Sequence, residues 1–135
     1  MKTFLFRLWQ WTWGFPQTLL GAILYLVHRK CRHDRFHGAV VTYWPIRGSL
    51  GVGMFLFLGT EDRQVMVHEY GHAVQSLFLG PLFLPIMGIP SFLWCNLPPC
   101  RRLRREKGVS YYSFYPESTA NRMGRWATNQ PCDLK

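Results

Sequence analysis

Three residues near the middle of the chain have the types and the spacing of a hydrolytic metal site. His68, Glu69 and His72 follow the order His-Glu-x-x-His within residues 65–76. On an α-helix, two histidines four residues apart leave the same face one turn apart and can bind one tetrahedral zinc ion. Glu69 lies about 100° further around the helix axis, where its carboxylate can take a proton from a water that the metal has activated. The pattern predicts a Zn²⁺ site with Glu69 as the catalytic base; the alternative is two histidines that are packed or exposed without a metal.

The residues on both sides of this motif predict the helix that carries it. Thr60, Glu61 and Asp62 provide an N-cap and an acidic first turn, and Gly80 with Pro81 provides a stop. Apolar residues cover most directions other than the face of the histidines. We therefore expect this helix to be buried.

A catalytic zinc site usually has three protein ligands and one position for water, so a third ligand is needed. No histidine follows His72, and the only acids after the motif are Glu106, Glu117 and Asp133. Glu106 lies in a basic run and Asp133 lies in a polar C-terminal segment that we expect to fray. Glu117 remains as the predicted third ligand; the alternative is a helix-start glutamate that only the helix dipole favours.

A second helix is predicted around this glutamate, starting at Pro116 and ending at Gly124. Helical spacing places four residues on one face, namely Glu117, Ala120, Asn121 and Gly124. Small residues on this face let the second helix approach the first closely. Asn121 is then placed to hydrogen-bond the outer ring nitrogen of His68 or His72 and to fix its orientation.

Together, the two motifs resemble those of the gluzincin metallopeptidases, especially the membrane-bound group that includes the CAAX prenyl proteases and the heat-shock membrane peptidase. The motifs are His-Glu-x-x-His at 68–72 and Glu-x-x-Ala-Asn-x-x-Gly at 117–124. The resemblance implies a Zn²⁺ ion bound by His68, His72 and Glu117, with Glu69 as the catalytic base. The chain departs from the family pattern at Asn121, where those enzymes carry an aspartate, and a neutral partner makes the ligand histidine less basic.

The run from His68 to Ser76, with Leu79-Gly80-Pro81-Leu82 after it, also resembles a set of short, uncharacterised bacterial membrane proteins. That second resemblance implies no activity.

Composition and charge indicate a membrane surface. The 135 residues predict one domain, and they combine a net charge of +9 with 48% hydrophobic and 16% aromatic residues. Most of the charge lies in two basic clusters, Arg29-Lys30-x-Arg32-x-x-Arg35 and Arg101-Arg102-x-Arg104-Arg105-x-Lys107. Such clusters beside apolar segments favour the cytoplasmic face of a membrane, here the bacterial inner membrane, and contact with anionic lipid. The alternatives are solvated basic loops or a nucleic-acid patch, but no nucleic-acid-binding module accompanies the charge and we expect no nucleic-acid partner.

The four cysteines show no paired metal-binding spacing and are expected to be reduced thiols, namely Cys31, Cys95, Cys100 and Cys132. A second metal site at Cys31 with the neighbouring histidines is disfavoured because their spacing is irregular and cations surround them.

Three apolar stretches complete the predicted fold. Residues 4–27 have a single charge and are long enough to span a bilayer as an uncleaved anchor. Residues 39–44 and 49–58 predict a β-hairpin around Pro45–Gly48, and a strand just before the metal-binding helix could offer its edge to an extended peptide. The alternative is a plain structural hairpin or a second short membrane segment. Residues 81–97 are interrupted by prolines, which favours a re-entrant hairpin. A single crossing there would separate Glu117 from the histidines by roughly 30 Å.

The predicted fold is therefore mainly α with a small β-hairpin, an α+β and minimal zincin-like class. One N-terminal apolar helix anchors it in the membrane, and an apolar segment is re-entrant or interfacial. We divide the chain into an anchor at 1–28, a zincin-like domain at 29–124 that includes 81–97, and a flexible tail at 125–135. Nothing in the sequence predicts an oligomeric state.

The function predicted from these features is a membrane-associated zinc metallopeptidase that hydrolyses peptide or protein substrates at the cytoplasmic face. It needs an oxyanion donor, and Tyr111, Tyr112 and Tyr115 remain open for that role. The alternative is a non-catalytic membrane protein with structural or sensing zinc, its fourth ligand Cys95 or Cys100. A basic anchor that gathers anionic lipid or nucleic acid is the third hypothesis.

Overall fold

The computed structural model describes residues 2–134 of the chain. They contain six α-helices and a four-stranded sheet. The helices are α1 (Lys2–Thr12), α2 (Phe15–Val27), α3 (Arg63–Leu79), α4 (Ile89–Asn96), α5 (Pro98–Lys107) and α6 (Tyr115–Thr128). The strands are β1 (Arg32–Phe36), β2 (Ala39–Tyr43), β3 (Leu50–Val52) and β4 (Phe55–Leu58). Short 3₁₀ turns lie at Gly80–Leu82 and Tyr111–Ser113, and a π-helical turn lies at Leu84–Gly88. The predicted class, mainly helical with a small sheet, agrees with this content.

The sheet is mixed, with strand order β1-β2-β4-β3. β1 and β2 form an antiparallel hairpin whose turn residues, His37 and Gly38, both have positive φ. β3 and β4 form a second hairpin around Gly53, and β4 pairs with β2 in parallel. The predicted hairpin between residues 39–44 and 49–58 is therefore wrong: the second stretch folds back on itself at Gly53, and the edge strand β3 lies away from β2.

The core lies between the sheet and α3, and α6 covers the opposite face of α3. Val41, Leu56 and Leu58 from the sheet pack against Val67 and Ala73 of α3, and all five are buried. Burial of apolar side chains on this scale supplies the main stabilisation of such a small domain. The helix that carries the metal motif is therefore the central element of the fold.

The predicted N-cap and stop of α3 are confirmed, but the predicted acidic first turn is wrong because Glu61 and Asp62 precede the helix, which begins at Arg63. The Asp62 Oδ1 atom accepts a hydrogen bond of 2.9 Å from the backbone N–H of Gln64, which is the bond that an N-cap aspartate provides. The helix ends at Leu79 because Gly80 adopts a φ of 56°. α6 begins at Tyr115 but does not end at Gly124 as predicted, since it continues to Thr128. The start of the predicted flexible tail is therefore helical, and Cys132 beyond it is buried.

The N-terminal segment corrects the predicted membrane anchor. Residues 4–27 are divided into α1 and α2, which meet at Gly14. Within residues 2–134, no helix combines the length and the apolar character that crossing a bilayer requires. The prediction of a membrane-anchored fold is wrong.

Polar side chains inside the apolar run explain the correction. Gln10 of α1 donates a hydrogen bond of 2.9 Å to the carbonyl of Ala73, and Gln17 of α2 donates one of 2.6 Å to the Ser76 hydroxyl. The Ser76 hydroxyl in turn donates to Oε1 of Gln10 at 2.8 Å. Both glutamines are fully buried. Because their partners are on α3, both helices are held against the protein itself.

The predicted re-entrant segment is likewise a connection within the helical fold. Residues 81–97 form the end of the first 3₁₀ turn, the π-helical turn and α4. The hydroxyl of Tyr115, at the start of α6, donates a hydrogen bond of 2.6 Å to the Ile86 carbonyl. The connection thus returns the chain to α3, where α6 can pack.

Candidate metal centre

Two histidines of α3 and one glutamate of α6 lie together, as the sequence predicted. The Nε2 atom of His68 is 2.9 Å from Oε2 of Glu117, and Nε2 of His72 is 3.3 Å from the same oxygen. The three ligand atoms lie within 4.8 Å of one another. Ligands bound tetrahedrally to zinc at 2.0–2.1 Å are about 3.3 Å apart, so this group has the dimensions to hold a metal ion. All three residues are buried, with relative exposures of 2%, 6% and 0%.

A side-chain amide orients each imidazole through its Nδ1 atom, the ring nitrogen that does not contact Glu117. Oδ1 of Asn121 is 2.5 Å from Nδ1 of His68, and Oε1 of Gln75 is 2.8 Å from Nδ1 of His72. Because an amide oxygen only accepts, each Nδ1 donates its proton outward. Each Nε2 atom then faces Glu117. A histidine whose Nδ1 atom carries the proton has its Nε2 atom available to bind a metal ion.

Gln75 is a site residue that sequence reasoning missed. Its Nε2 atom donates a hydrogen bond of 2.9 Å to the carbonyl of Pro116, the residue before Glu117. One side chain therefore positions a histidine of α3 and the first turn of α6. Its place three residues after His72, on the same helical face, is the sequence signal that would have identified it.

Ser91 of α4 is a second residue that the sequence did not indicate. Its hydroxyl donates a hydrogen bond to Oε1 of Glu117, the carboxylate oxygen that faces away from the histidines. The carboxylate is therefore held at both oxygens. No motif links Ser91 to the site, because only the fold brings α4 next to α6.

The electrostatics of the group favour a cation between the three side chains. Burial alone would raise the pKa of Glu117, but hydrogen bonds from His68 and His72 and their positive charges hold it well below its ordinary value. Burial opposes charge on His72, yet the hydrogen bond and charge of Glu117 outweigh it and raise the pKa of His72 to about 9. The site thus stabilises positive charge, whether a proton or a metal ion carries it.

Glu69 is buried beside the group but does not belong to it. The hydrogen bonds of the two imidazoles go to Glu117, Asn121 and Gln75, and none goes to Glu69. Burial raises the pKa of the Glu69 carboxyl. A carboxylate of raised pKa that is not a ligand is suited to accept a proton during a reaction.

The edge strand β3 lies directly against this glutamate. A Cβ atom built on Gly51 would be 2.6 Å from the backbone carbonyl oxygen of Glu69 and 3.1 Å from its Oε2. No residue other than glycine fits this approach without movement of the strand or the helix. The strand is paired only with β4, so its other edge is free of strand partners within residues 2–134.

Two cavities adjoin at the candidate metal centre. The first has a volume of about 320 Å³ and is lined by His72, and the second has a volume of about 570 Å³ and is lined by His68. Four residues line both cavities: Ser49, Glu69, Cys95 and Tyr111. The two cavities, together called the cleft, therefore adjoin at Glu69, and one of the two histidines lines each of them.

The structure distinguishes the three candidate tyrosines. Tyr115 uses its hydroxyl to bind the Ile86 carbonyl, and Tyr112 packs its ring edge-on to His68 at a centroid distance of 5.0 Å. Tyr111 lines both cavities beside Glu69. Burial and the nearby negative charges raise the pKa of the Tyr111 hydroxyl far above its ordinary value, which keeps it protonated and able to donate.

The cysteines do not complete the group of ligands. All four are free thiols, and among residues 2–134 the group that could hold a metal ion contains His68, His72 and Glu117 without Cys95 or Cys100. A site with three protein ligands leaves a coordination position open.

Comparisons of this chain with protein-family models, with curated proteins and with solved structures find no match.

Proposed function

We propose that this protein is a zinc metallopeptidase that hydrolyses internal peptide bonds. One observation carries the proposal: the group that could hold a metal ion contributes one histidine to each cavity of the cleft, and the Glu69 carboxylate lies beside both. His68, His72 and Glu117 would bind the zinc ion. Bound there, zinc lowers the pKa of a water molecule and polarises the carbonyl of the scissile bond.

The residues of the chain then account for the proton transfers. Glu69 accepts a proton from the water as the water oxygen attacks the carbonyl carbon. Tyr111 donates a hydrogen bond to the carbonyl oxygen as it gains negative charge. Glu69 returns the proton to the amide nitrogen, and the C–N bond breaks to give a carboxylic acid and an amine.

The edge strand β3 supports a polypeptide as the substrate. Its three residues, Leu50, Gly51 and Val52, line the first cavity, and β3 pairs with no strand other than β4 within residues 2–134. An extended peptide can add to such an edge by main-chain hydrogen bonds. Because Glu69 lines both cavities, a chain that occupied both would place an internal bond beside it, which favours cleavage at internal bonds.

A Glu69→Gln variant tests the catalytic role. We expect the hydrolysis of a fluorescently labelled unstructured protein to fall by about 100-fold or more, since general-base catalysis contributes at least that factor, while the zinc content is unchanged. Glu106→Gln is the matched control because Glu106 is exposed on α5. Full hydrolysis by the Glu69→Gln variant would overturn the proposal.

A non-catalytic zinc protein is the second candidate, supported by the same three ligands. It predicts zinc binding in the wild type and in Glu69→Gln, and no hydrolysis in either. Measurements of zinc and hydrolysis on the same samples separate the two functions.

We further propose a bilayer surface as a partner, on the cytoplasmic side of the bacterial inner membrane, with no crossing of the bilayer. Three tryptophans of the N-terminal segment are exposed, namely Trp9, Trp11 and Trp13, and Arg29 and Lys30 follow α2. Tryptophan favours the membrane interface, and basic residues favour anionic lipid. We expect cosedimentation with vesicles that contain phosphatidylglycerol, weaker in high salt; failure to sediment with them at low salt would contradict this proposal.

A further inference from the structure

The two halves of the cleft differ in chemical character. The cavity on the His72 side is lined mainly by apolar side chains, among them Leu20 of α2, Phe83 and Leu84 of the turns, and Ile89 and Phe92 of α4. The cavity on the His68 side includes Arg47, Ser49 and Thr60. Any chain that occupies the cleft would therefore meet an apolar wall on one side of Glu69 and a more polar one on the other.

The apolar cavity has room for a large side chain. Its volume is about 320 Å³, whereas an apolar cavity of about 150 Å³ suffices to bind benzene. Three of its wall residues, Leu20, Ile89 and Phe92, are themselves exposed. Water at such walls is displaced favourably by an apolar group.

The cavity is also directly connected to the candidate catalytic group. Glu69 and His72 form part of its lining, and so do Leu50–Val52 of the edge strand β3. A peptide main chain bound along β3 directs alternate side chains to opposite sides. A side chain next to the bond under attack would then point into the cavity.

We propose that the cavity lined by Leu84, Ile89 and Phe92 is a specificity pocket that takes a large apolar side chain, Phe or Leu, of a polypeptide at a position flanking the scissile bond. The proposal rests on the peptidase function and names its substrate class. A polypeptide is favoured over a free lipid chain because the cavity is lined by Glu69 and His72 of the candidate catalytic group and by residues of the edge strand β3, to which an extended peptide can add.

The cleavage test uses pairs of internally quenched peptides that are identical except for Phe or Ser at one flanking position. We expect kcat/KM to favour Phe by about 10-fold or more at one of these positions, which is the scale of discrimination by an apolar pocket. Ile89→Arg and Phe92→Arg place a charge at exposed wall positions and should reduce the preference to below about 3-fold. Leu103→Arg is the matched control, since Leu103 is an exposed residue of α5 that lines neither half of the cleft.

A binding test separates the two proposals. Glu69→Gln with zinc is titrated with the labelled Phe and Ser peptides, and fluorescence anisotropy should show tighter binding of the Phe peptide, lost when Ile89→Arg is added. Cleavage of all peptides at equal rates, or equal binding of both, would overturn the pocket and leave the peptidase intact. Preferential binding of the Phe peptide without any cleavage would overturn the peptidase and the place of the pocket beside a scissile bond, and would leave only a binding site for an apolar peptide side chain. Binding of oleate at this wall with no binding of either peptide would overturn the pocket in favour of a lipid chain.

Discussion

Two side-chain amides orient the histidines of this site, whereas the resemblance to the gluzincin metallopeptidases implies a carboxylate at position 121. Asn121 and Gln75 each accept the outer proton of one imidazole. Asn121 is held in turn by Cys132, whose thiol lies 3.2 Å from Oδ1, and by its own bond of 3.3 Å to the Leu134 carbonyl. The C-terminal residues beyond α6 thus support the site, which was not expected of a flexible tail.

Removal of either amide should weaken metal binding. We expect Asn121→Ala and Gln75→Ala to reduce zinc affinity by about 10- to 100-fold, the usual cost of losing a partner of a ligand histidine. Competition with a chromophoric chelator measures the affinity. Gln130→Ala is the control, and affinities within twofold of the wild type in both site variants would show that neither amide orients a ligand.

The pKa shifts predict opposite pH dependences for the metal-free and zinc-bound protein. The pKa of His72 is raised from 6.5 to about 9 by Glu117, so its stabilisation of the metal-free fold is full below pH 6.5 and is lost as pH rises toward 9. The pKa of Glu117 is lowered from 4.5, so its contribution is lost as pH falls below that value. Zinc requires neutral imidazoles, so its stabilisation should increase with pH over the same range.

Thermal unfolding between pH 5 and 9, with chelator and with zinc, measures this difference. Glu69 and His68 also face His72, so Glu117→Gln is the variant that isolates the pair. The metal-free curve should flatten in that variant. A metal-free wild type that becomes more stable from pH 6.5 to 9 would contradict the assignment.

Tyr111 is the residue that we expect to stabilise the developing oxyanion. Tyr111→Phe should lower kcat by about 10- to 1000-fold, with KM little changed, because loss of an oxyanion donor acts mainly on the transition state. Steady-state kinetics on one peptide give both constants. Tyr112→Phe serves as the comparison, and a larger loss of kcat there would transfer the role to Tyr112.

Among the elements, the contact between α3 and α6 determines whether the site forms. A Cβ atom on Gly71 would be 1.9 Å from the Ala120 carbonyl oxygen, and one on Gly124 would be 2.2 Å from the Val67 carbonyl oxygen. The two backbones therefore touch where Glu117 reaches the histidines. The sequence predicted this approach from small residues on α6, but it did not identify Gly71 as the matching position on α3.

Gly71→Ala should separate the two helices. We expect a loss of stability of about 1–3 kcal/mol from overpacking, together with weaker zinc binding, since the helices carry different ligands. Chemical denaturation and chelator competition measure the two effects. Gly88→Ala is the control because its added methyl group would first meet the end of the Leu84 side chain; equal effects in both variants would contradict the tight contact.

Elements with local signals were predicted, and elements set by tertiary partners were not. Asp62 and Gly80 delimit α3 through their own side-chain and backbone hydrogen bonds, so the sequence alone predicts where this helix begins and ends. β1 carries mostly charged residues and is a strand only because β2 pairs with it. Gln10 and Gln17 lie within an apolar run, and their hydrogen-bond partners on α3 are more than fifty positions away, so the sequence does not predict these bonds.

For the molecule as a whole, the three residues that could hold a metal ion could be predicted and the cleft could not. Histidines and acidic residues are scarce in this chain, so the spacing of His68 and His72 and the elimination of the other acids were enough to predict this group. The walls of the cleft come from α2, β3, the turns after α3, α4 and the segment before α6. Only the assembled fold brings these segments to both sides of Glu69.

We expect two histidines of α3 and one glutamate of α6 to bind a single metal ion in the folded protein. Mass spectrometry after dialysis measures the zinc per chain for the wild type, His72→Ala, Glu117→Gln and Glu69→Gln. We expect one zinc per chain in the wild type and Glu69→Gln, and a large loss in His72→Ala and Glu117→Gln. Equal zinc in all four proteins, or none in the folded wild type, would contradict this metal site.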